Sequence, residues 1–387
     1  MDGVTLSFGW RVAILGVASL QTLLLAAAIA TQSPNGRANR LLTAFLIVLV
    51  GVVAPYTLGY AGAYDAWRGL TFAPLAIPLA LPPLLYAYTH ALVRGRQPGR
   101  FGLHLGPPLI QFGYFLVCFA LPPDAKWDWY TGGHRHLVGP AFDLALLVSL
   151  GLYAGSCLSL LAAYRRDLAE ARSDDDRFAT GWLVRVIVAL VAVLALYAAF
   201  TLWDWLSGGI DFFQETGLYL ALVAIGLYLG IEGWRHATLR FPVPEAAPPD
   251  PVPAEPPVAP DWVAVATGFD TRLREAGWAS EPDLSLPVLA RRLATNTGRL
   301  SRAINLGLGV NFSAWINGVR AEAVASALDG GSTGDLLTLA FDAGFSSKAS
   351  FNRAFQARFG VAPSRYRRHV SHHDFPLPQP EMRRAAG

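Results

Sequence analysis

The chain has 387 residues, length enough for two or three domains, yet 53% of them are hydrophobic and only 15% charged, a balance too apolar for an ordinary soluble protein. Its formal net charge is only +3, but the apolar residues concentrate between Val12 and Trp234, and the chain takes on soluble character from about Phe241. The two cysteines, Cys118 and Cys157, both lie inside apolar runs, which excludes a disulfide framework or a cysteine metal site.

A bilayer core of about 30 Å takes roughly 20 apolar residues in a helix. Seven stretches meet that length: Val12–Thr31, Leu41–Tyr60, Leu70–Val93, Leu103–Leu121, Pro140–Ala163, Leu183–Leu206 and Thr216–Trp234. The first lacks a basic leader and is followed by six more, so it reads as a retained helix, not a cleaved signal. Pro74, Pro78, Pro82 and Pro83 interrupt the third stretch and Pro107 and Pro108 the fourth; kinks are expected there, because neighbours can satisfy freed carbonyls.

Orientation follows from the short loops. The first, third and fifth carry Arg37, Arg40, Arg94, Arg96, Arg100, Arg165, Arg166, Arg172 and Arg177, nine basic residues, against Arg68, Lys126 and Arg135 in the second, fourth and sixth. Nine against three places the odd loops in the cytoplasm and the N-terminus outside. An odd number of spans then delivers the C-terminus to the cytoplasm. On the outer side, Trp127, Asp128, Trp129, His134, Arg135, His136, Asp143 and Asp204 gather near one loop, Pro122–Gly139. Ionisable residues near membrane depth mark a candidate ligand-sensing surface. The plainer reading is an interfacial tryptophan belt with aspartates reaching headgroup water. Two histidines without a third ligand do not predict a metal site.

Residues 241–260 hold nine prolines in twenty positions, a composition that predicts an extended, semi-rigid tether between a membrane region (1–240) and a soluble domain (261–387). A ligand for proline-binding modules is the alternative.

Beyond the tether the apolar pattern turns helical. Trp262, Val265, Phe269 and Leu273 mark a first helix. Leu286, Leu289, Ala290 and Leu293 mark a second, with Ser285 as its cap and Pro287 in its first turn. Thr297–Asn305 follows, then a long helix, Phe312–Leu328, with Ile316, Val319, Ala323 and Leu328 as its buried stripe. Leu336–Ala343, a turn at Gly344 and Ser347–Phe359 complete the set. This predicts two helix-turn-helix units, about 286–305 and 336–359.

The run Leu336–Arg367 resembles the signature of the AraC/XylS regulators, carried by Ala340, Gly344, Phe345, Ser346, Ser347, Phe351, Arg353, Phe355, Phe359, Gly360, Pro363, Ser364, Tyr366 and Arg367. The upstream segments LPVLARRL, LSRAIN and GVNFSAWINGVRAEAVASAL are similar to the same family, with departures at Gly298 and Asn305. The resemblance implies duplex DNA as partner, and together with the seven apolar stretches it predicts a bacterial inner-membrane location for the whole chain. Charge points the same way: Ser346–Val370 contains Lys348, Arg353, Arg358, Arg365, Arg367 and Arg368 and no acid, the footprint of a nucleic-acid surface. Early residues of the second helix of each unit meet base edges. These are Arg299, Ser301 and Arg302 in the first unit, and Lys348, Ser350, Asn352 and Arg353 in the second. Arg358, Arg365, Arg367 and Arg368 suit phosphates.

The expectation is therefore an all-α protein in which a seven-helix membrane bundle precedes a double helix-turn-helix domain. It would act as a membrane-anchored transcription regulator, not an enzyme, with no cofactor, responding to a small-molecule or protein signal and compatible with a homodimer. The alternatives are a protein-interaction module in place of the DNA-binding domain, a transporter with a regulatory domain, and release of the domain by proteolysis.

Overall fold

The structure, a computed structural model, describes residues 6–33, 35–207, 215–243 and 260–372, with backbone alone at 204, 205, 207, 371 and 372. Most of the proline-rich tether and the side chain of Asp204 thus lie outside the described residues. By its contacts the chain divides into two compact units, Met1–Ala162 with Thr180–Val243, and Ala163–Ala179 with Pro244–Gly387. Among the described residues every regular element is helical.

The principal helices of the first unit are α1 (Trp10–Ala30), α2 (Gly36–Tyr60), α3 (Leu81–Arg94), α4 (Gly106–Phe119), α5 (Gly139–Ala171, whose last turns belong to the second unit), α6 (Gly181–Ser207) and α7 (Thr216–His236). Five helical stretches among the described residues are long and apolar enough to cross a membrane, ending at Ala30, Tyr60, Ala171, Trp203 and His236. The third and fourth sequence stretches depart from the expected full-length spans. Each holds a helix of 14 residues, about 21 Å at 1.5 Å per residue. The cause is proline. Pro82 and Pro83 sit in the first turn of α3, where a missing N–H costs nothing, so the helix starts there. The chain before it is irregular, and the Leu75 carbonyl lies against Gly51 of α2, 2.4 Å from where a β-carbon would stand. Irregular backbone of this kind survives at membrane depth only when covered by protein.

The expected outer loop at Pro122–Gly139 is helical instead. Pro123–Trp129 forms a short helix and Tyr130–Val138 a wider π-type turn that runs into α5.

Small residues let α7 approach its neighbours. A β-carbon at Gly226 would stand 2.3 Å from the Leu49 side chain, at Gly230 3.0 Å from Leu25, and at Gly233 2.2 Å from Leu42. Apolar association in lipid relies on this close packing, since there is no water to expel. Polar ties close one end of the group. Asn39, buried in α2, donates to the Gln32 and Ala237 carbonyls at 3.0 and 3.2 Å, and Asn35 donates to Leu239 at 2.6 Å.

The second unit contains α8 (Trp262–Glu275), α9 (Leu286–Arg292), α10 (Thr297–Arg302), α11 (Phe312–Asp329), α12 (Leu336–Asp342), α13 (Lys348–Phe359) and α14 (Pro363–His372). One core gathers Phe269, Leu273, Leu289, Leu300, Ile304 and Ile316; the other gathers Val324, Leu328, Ala340, Phe351, Phe355 and Tyr366. The helix α11 contributes to both, so one rod carries the two units. Its buried stripe runs Phe312, Ile316, Arg320, Val324 and Leu328, every fourth residue, while Ala323 of the expected stripe is exposed.

Candidate nucleic-acid interface

Each unit is framed by caps that the local sequence dictates. Asn296 accepts from the Arg299 N–H at 2.6 Å to start α10, and Ser347 accepts from the Ser350 N–H at 3.1 Å to start α13. Asn311 and Asp335 do the same for α11 and α12. Short polar side chains satisfy first-turn donors that have no helical partner. Ser285 holds the extended backbone of a cap at α9, but its hydroxyl makes no cap bond. Gly344, at φ +96°, turns the chain between α12 and α13, and a β-carbon there would stand 2.5 Å from the Ser280 carbonyl oxygen.

These turns set which side chains face outward. In α13, Phe351 and Phe355 turn inward and stack edge-on, with Phe355 in turn against Tyr366. Lys348, Asn352 and Arg353 are exposed on the opposite side. In α10, Arg299 and Arg302 are exposed while Leu300 is buried. Ser301 is half-buried, with the Asn305 amide 3.4 Å from its hydroxyl. Arg365 and Arg368 are exposed on α14, and Arg367 donates to the Gly334 carbonyl at 3.3 Å.

Three of the sequence candidates stand in other surroundings than expected, Arg353 among them through its ion pair with Asp176. Ser350 is buried, and its hydroxyl donates to the Ser347 carbonyl at 2.9 Å; the capping turn draws it inward, away from any groove. Arg358 pairs with Glu322 of α11 at 2.6 Å, and Glu322 also receives Arg274 at 2.7 Å.

Sequence reasoning missed a cluster beneath α11. Arg320 is 1% exposed, yet four hydrogen bonds hold its guanidinium. It donates to the Ala279 carbonyl at 2.7 Å, the Glu281 carbonyl at 2.5 Å, Asn317 Oδ1 at 3.0 Å and Ser173 Oγ at 3.0 Å. Burial pushes its pKa down to about 10, which leaves it charged at neutral pH. The signal was present: Arg320 occupies an apolar-stripe position, four residues from both Ile316 and Val324.

In the first unit, the candidate sensing residues and their neighbours form two groups. The Tyr114 hydroxyl lies 2.9 Å from His134 Nδ1 and accepts from Trp129 Nε1 at 2.9 Å, with Phe72 edge-on to both Tyr114 and His134. Separately, Asp143 accepts from the Tyr197 hydroxyl at 3.3 Å beside a cavity of about 190 Å³ shared with Tyr56, Tyr219 and Pro82. Trp127, though exposed, joins the first group by stacking on Tyr130, which stacks on His134, whereas Asp128, Arg135 and His136 are exposed and belong to neither group.

Residues 289–369 match a family described as a helix-turn-helix domain, a type found in DNA-binding regulators. The match spans both helix-turn-helix units from within α9 to within α14. No curated protein and no solved structure matches the chain.

Proposed function

We propose that the chain is a membrane-anchored, sequence-specific transcription regulator of the AraC type, holding its helix-turn-helix domain (261–387) in the cytoplasm on a tether (241–260). The observation that carries this is the helix-turn-helix match over 289–369, combined with an exposed cationic face on α13 in a segment, Ser346–Val370, that contains no acid. Lys348, Asn352 and Arg353 read bases in the second unit, and Arg299 and Arg302 in the first, because cations and amides match the acceptors and donors of the major-groove edges. Arg365, Arg367 and Arg368 contact phosphate, as does Arg358 once it leaves Glu322. Phosphate contacts position the protein and carry no sequence information.

The membrane region (1–240) has seven spans with the N-terminus outside. Support comes from the nine-to-three bias of basic residues and from the parity it requires. The short helices α3 and α4 cross with help from their irregular flanks and a locally thinned bilayer, at a modest cost per Å of mismatch. The aromatic group around His134 and the cavity beside Asp143 form its sensing surface. Asp204 belongs to the same surface by sequence position.

Purified full-length protein in detergent should bind duplex DNA with an affinity that falls steeply as salt rises, because lysine and arginine displace condensed counterions. Reporter fusions at Pro260 and within 122–139 should report opposite compartments. A salt-insensitive interaction, or both fusions on one side, overturns the corresponding half of the reading.

A further inference from the structure

The connection between α5 and α6 folds with the helix-turn-helix domain in the second unit. Its backbone adds to the domain: the Ser173 N–H and hydroxyl both donate to the Leu284 carbonyl, at 3.2 and 2.9 Å, beside an antiparallel bridge between Arg172 and Ser285. Asn317 donates to the Ser173 carbonyl at 3.0 Å, and Arg320 to the Ser173 hydroxyl. Asp174 is buried and held by Arg172 at 2.6 and 3.0 Å. Ser313 donates to Asp175 at 2.9 Å, and Asp176 forms an ion pair with Arg353. Three consecutive acids, Asp174 to Asp176, thus follow one buried serine, and the last of them occupies a residue of the second recognition helix.

We infer that Arg172–Phe178 is an acidic latch that docks on the helix-turn-helix domain and competes with DNA for Arg353. This rests on the DNA-binding reading above and assigns its regulation. Three observations favour a releasable contact. The dock is specific, because it supplies one partner of a buried guanidinium and fills the hydrogen bonds of Ser313 and Asn317 in α11. Its charge is that of the competitor, since a carboxylate at Arg353 stands where a base acceptor or a phosphate oxygen would. The outermost pair is weak: Arg353 is 62% exposed and borders an open cleft of about 680 Å³ shared with Asp176, Asp270 and Glu322, and pairs reached by water contribute little. DNA can therefore displace Asp176 from Arg353 without first opening the buried part of the dock. Full engagement requires the latch to leave. Because it is the covalent link between two membrane helices, a change in the spacing of α5 and α6 acts directly on the bound or released state, a shift between two populations.

The test uses full-length protein in detergent, with a duplex enriched from a random pool by the Asp176→Ala variant, labelled for anisotropy. Asp176→Ala should bind it about two- to fivefold more tightly than the native chain, the range an exposed ion pair allows. A double variant, Asp175→Cys with Ser313→Cys, touches none of the proposed DNA-contacting residues. Once its disulfide is verified by mass, the oxidised form should bind about tenfold or more weakly than the same sample after reduction, a difference of the size usual for coupled sites. Hydrogen exchange across Arg172–Phe178 in the native chain should rise when duplex is added. Equal affinity in the oxidised and reduced states, with exchange unchanged by duplex, overturns the latch and leaves DNA binding standing. Failure of every form to bind duplex overturns the DNA-binding reading as well.

Discussion

The Tyr366 hydroxyl lies 3.1 and 3.2 Å from the two carboxylate oxygens of Asp329, fastening α14 to the end of α11 across 37 positions of sequence. Tyr366 is buried against Phe355 and Phe359, and that burial raises its phenol above the ordinary tyrosine range. It therefore stays protonated, and a donor, further into the alkaline range than an ordinary tyrosine. Tyr366→Phe keeps the ring and removes the donor, while Asp329 is exposed and turns to water. The loss should be about 1 kcal/mol, seen as faster hydrogen exchange in α14 with α8 to α10 unchanged. A uniform effect across the whole unit would mean that the bond supports more than the second helix-turn-helix.

Gly344→Ala should be more damaging. The position combines a left-handed φ of +96° with a backbone carbonyl, that of Ser280, 2.5 Å from the new β-carbon. Neither can be relieved by rotating a side chain. The strain should cost about 1–3 kcal/mol and register as increased exchange in α12 and α13 together. An alanine variant with native exchange would show that the turn can move away from Ser280.

Arg353 and Arg367 should part company on DNA. Arg353→Ala, if it removes a base contact, costs about 1–3 kcal/mol on a cognate duplex and relaxes preference at one position. Arg367→Ala, if it removes a phosphate contact, weakens all duplexes alike and reduces the slope of log affinity against log salt by about 1. Parallel titrations on an enriched and a scrambled duplex measure both. Equal losses on the two duplexes from Arg353→Ala would reassign it to phosphate.

Asp175 gives the latch a pH dependence. Burial raises its carboxyl above the usual range, against the Ser313 hydrogen bond and the Arg353 charge, which lower it, and with the neighbouring Asp176 raising it further. A carboxyl raised in the docked state favours docking when protonated. Its contribution is complete below the ordinary carboxylate pKa and is lost as pH climbs through the raised value, so at neutral pH the buried charge opposes docking. Asp175→Asn retains an acceptor for Ser313 and carries no charge. It should slow hydrogen exchange across Arg172–Phe178 at neutral pH and weaken DNA binding by the full chain about two- to tenfold. Unchanged exchange would place Asp175 in water.

What the sequence disclosed was mostly local. The caps Asn296 and Ser347, the turn at Gly344 and the inward aromatics Phe351 and Phe355 each act within one or two turns of chain, and the two helix-turn-helix units were legible from them. The proline positions of the third apolar stretch were equally visible, but whether they would kink a helix or begin one depended on Gly51 giving the Leu75 carbonyl a place to lie. The burial of Ser350 was not legible, because its hydroxyl is drawn back to the Ser347 carbonyl by the capping turn. Arg320 and the Ser173 turn were invisible as a pair, since 147 positions separate the partners and a lone arginine in a helix ordinarily lies in water.

The three α7 glycines, seated on Leu49, Leu25 and Leu42, mark the more buried part of the first unit. In the most apolar stretches of α7 and α2, 44% and 39% of residues are buried, against 17% for the stretch ending in α5 and 22% for the one ending in α6. Glycine at these three positions lets the α7 backbone close on leucine side chains of α1 and α2, so these helices form the more closely packed part of the first unit. The second pair, α5 and α6, is the more exposed. A side chain larger than hydrogen at any of the three would displace those leucines, so the closeness of α7 to α1 and α2 depends on all three glycines.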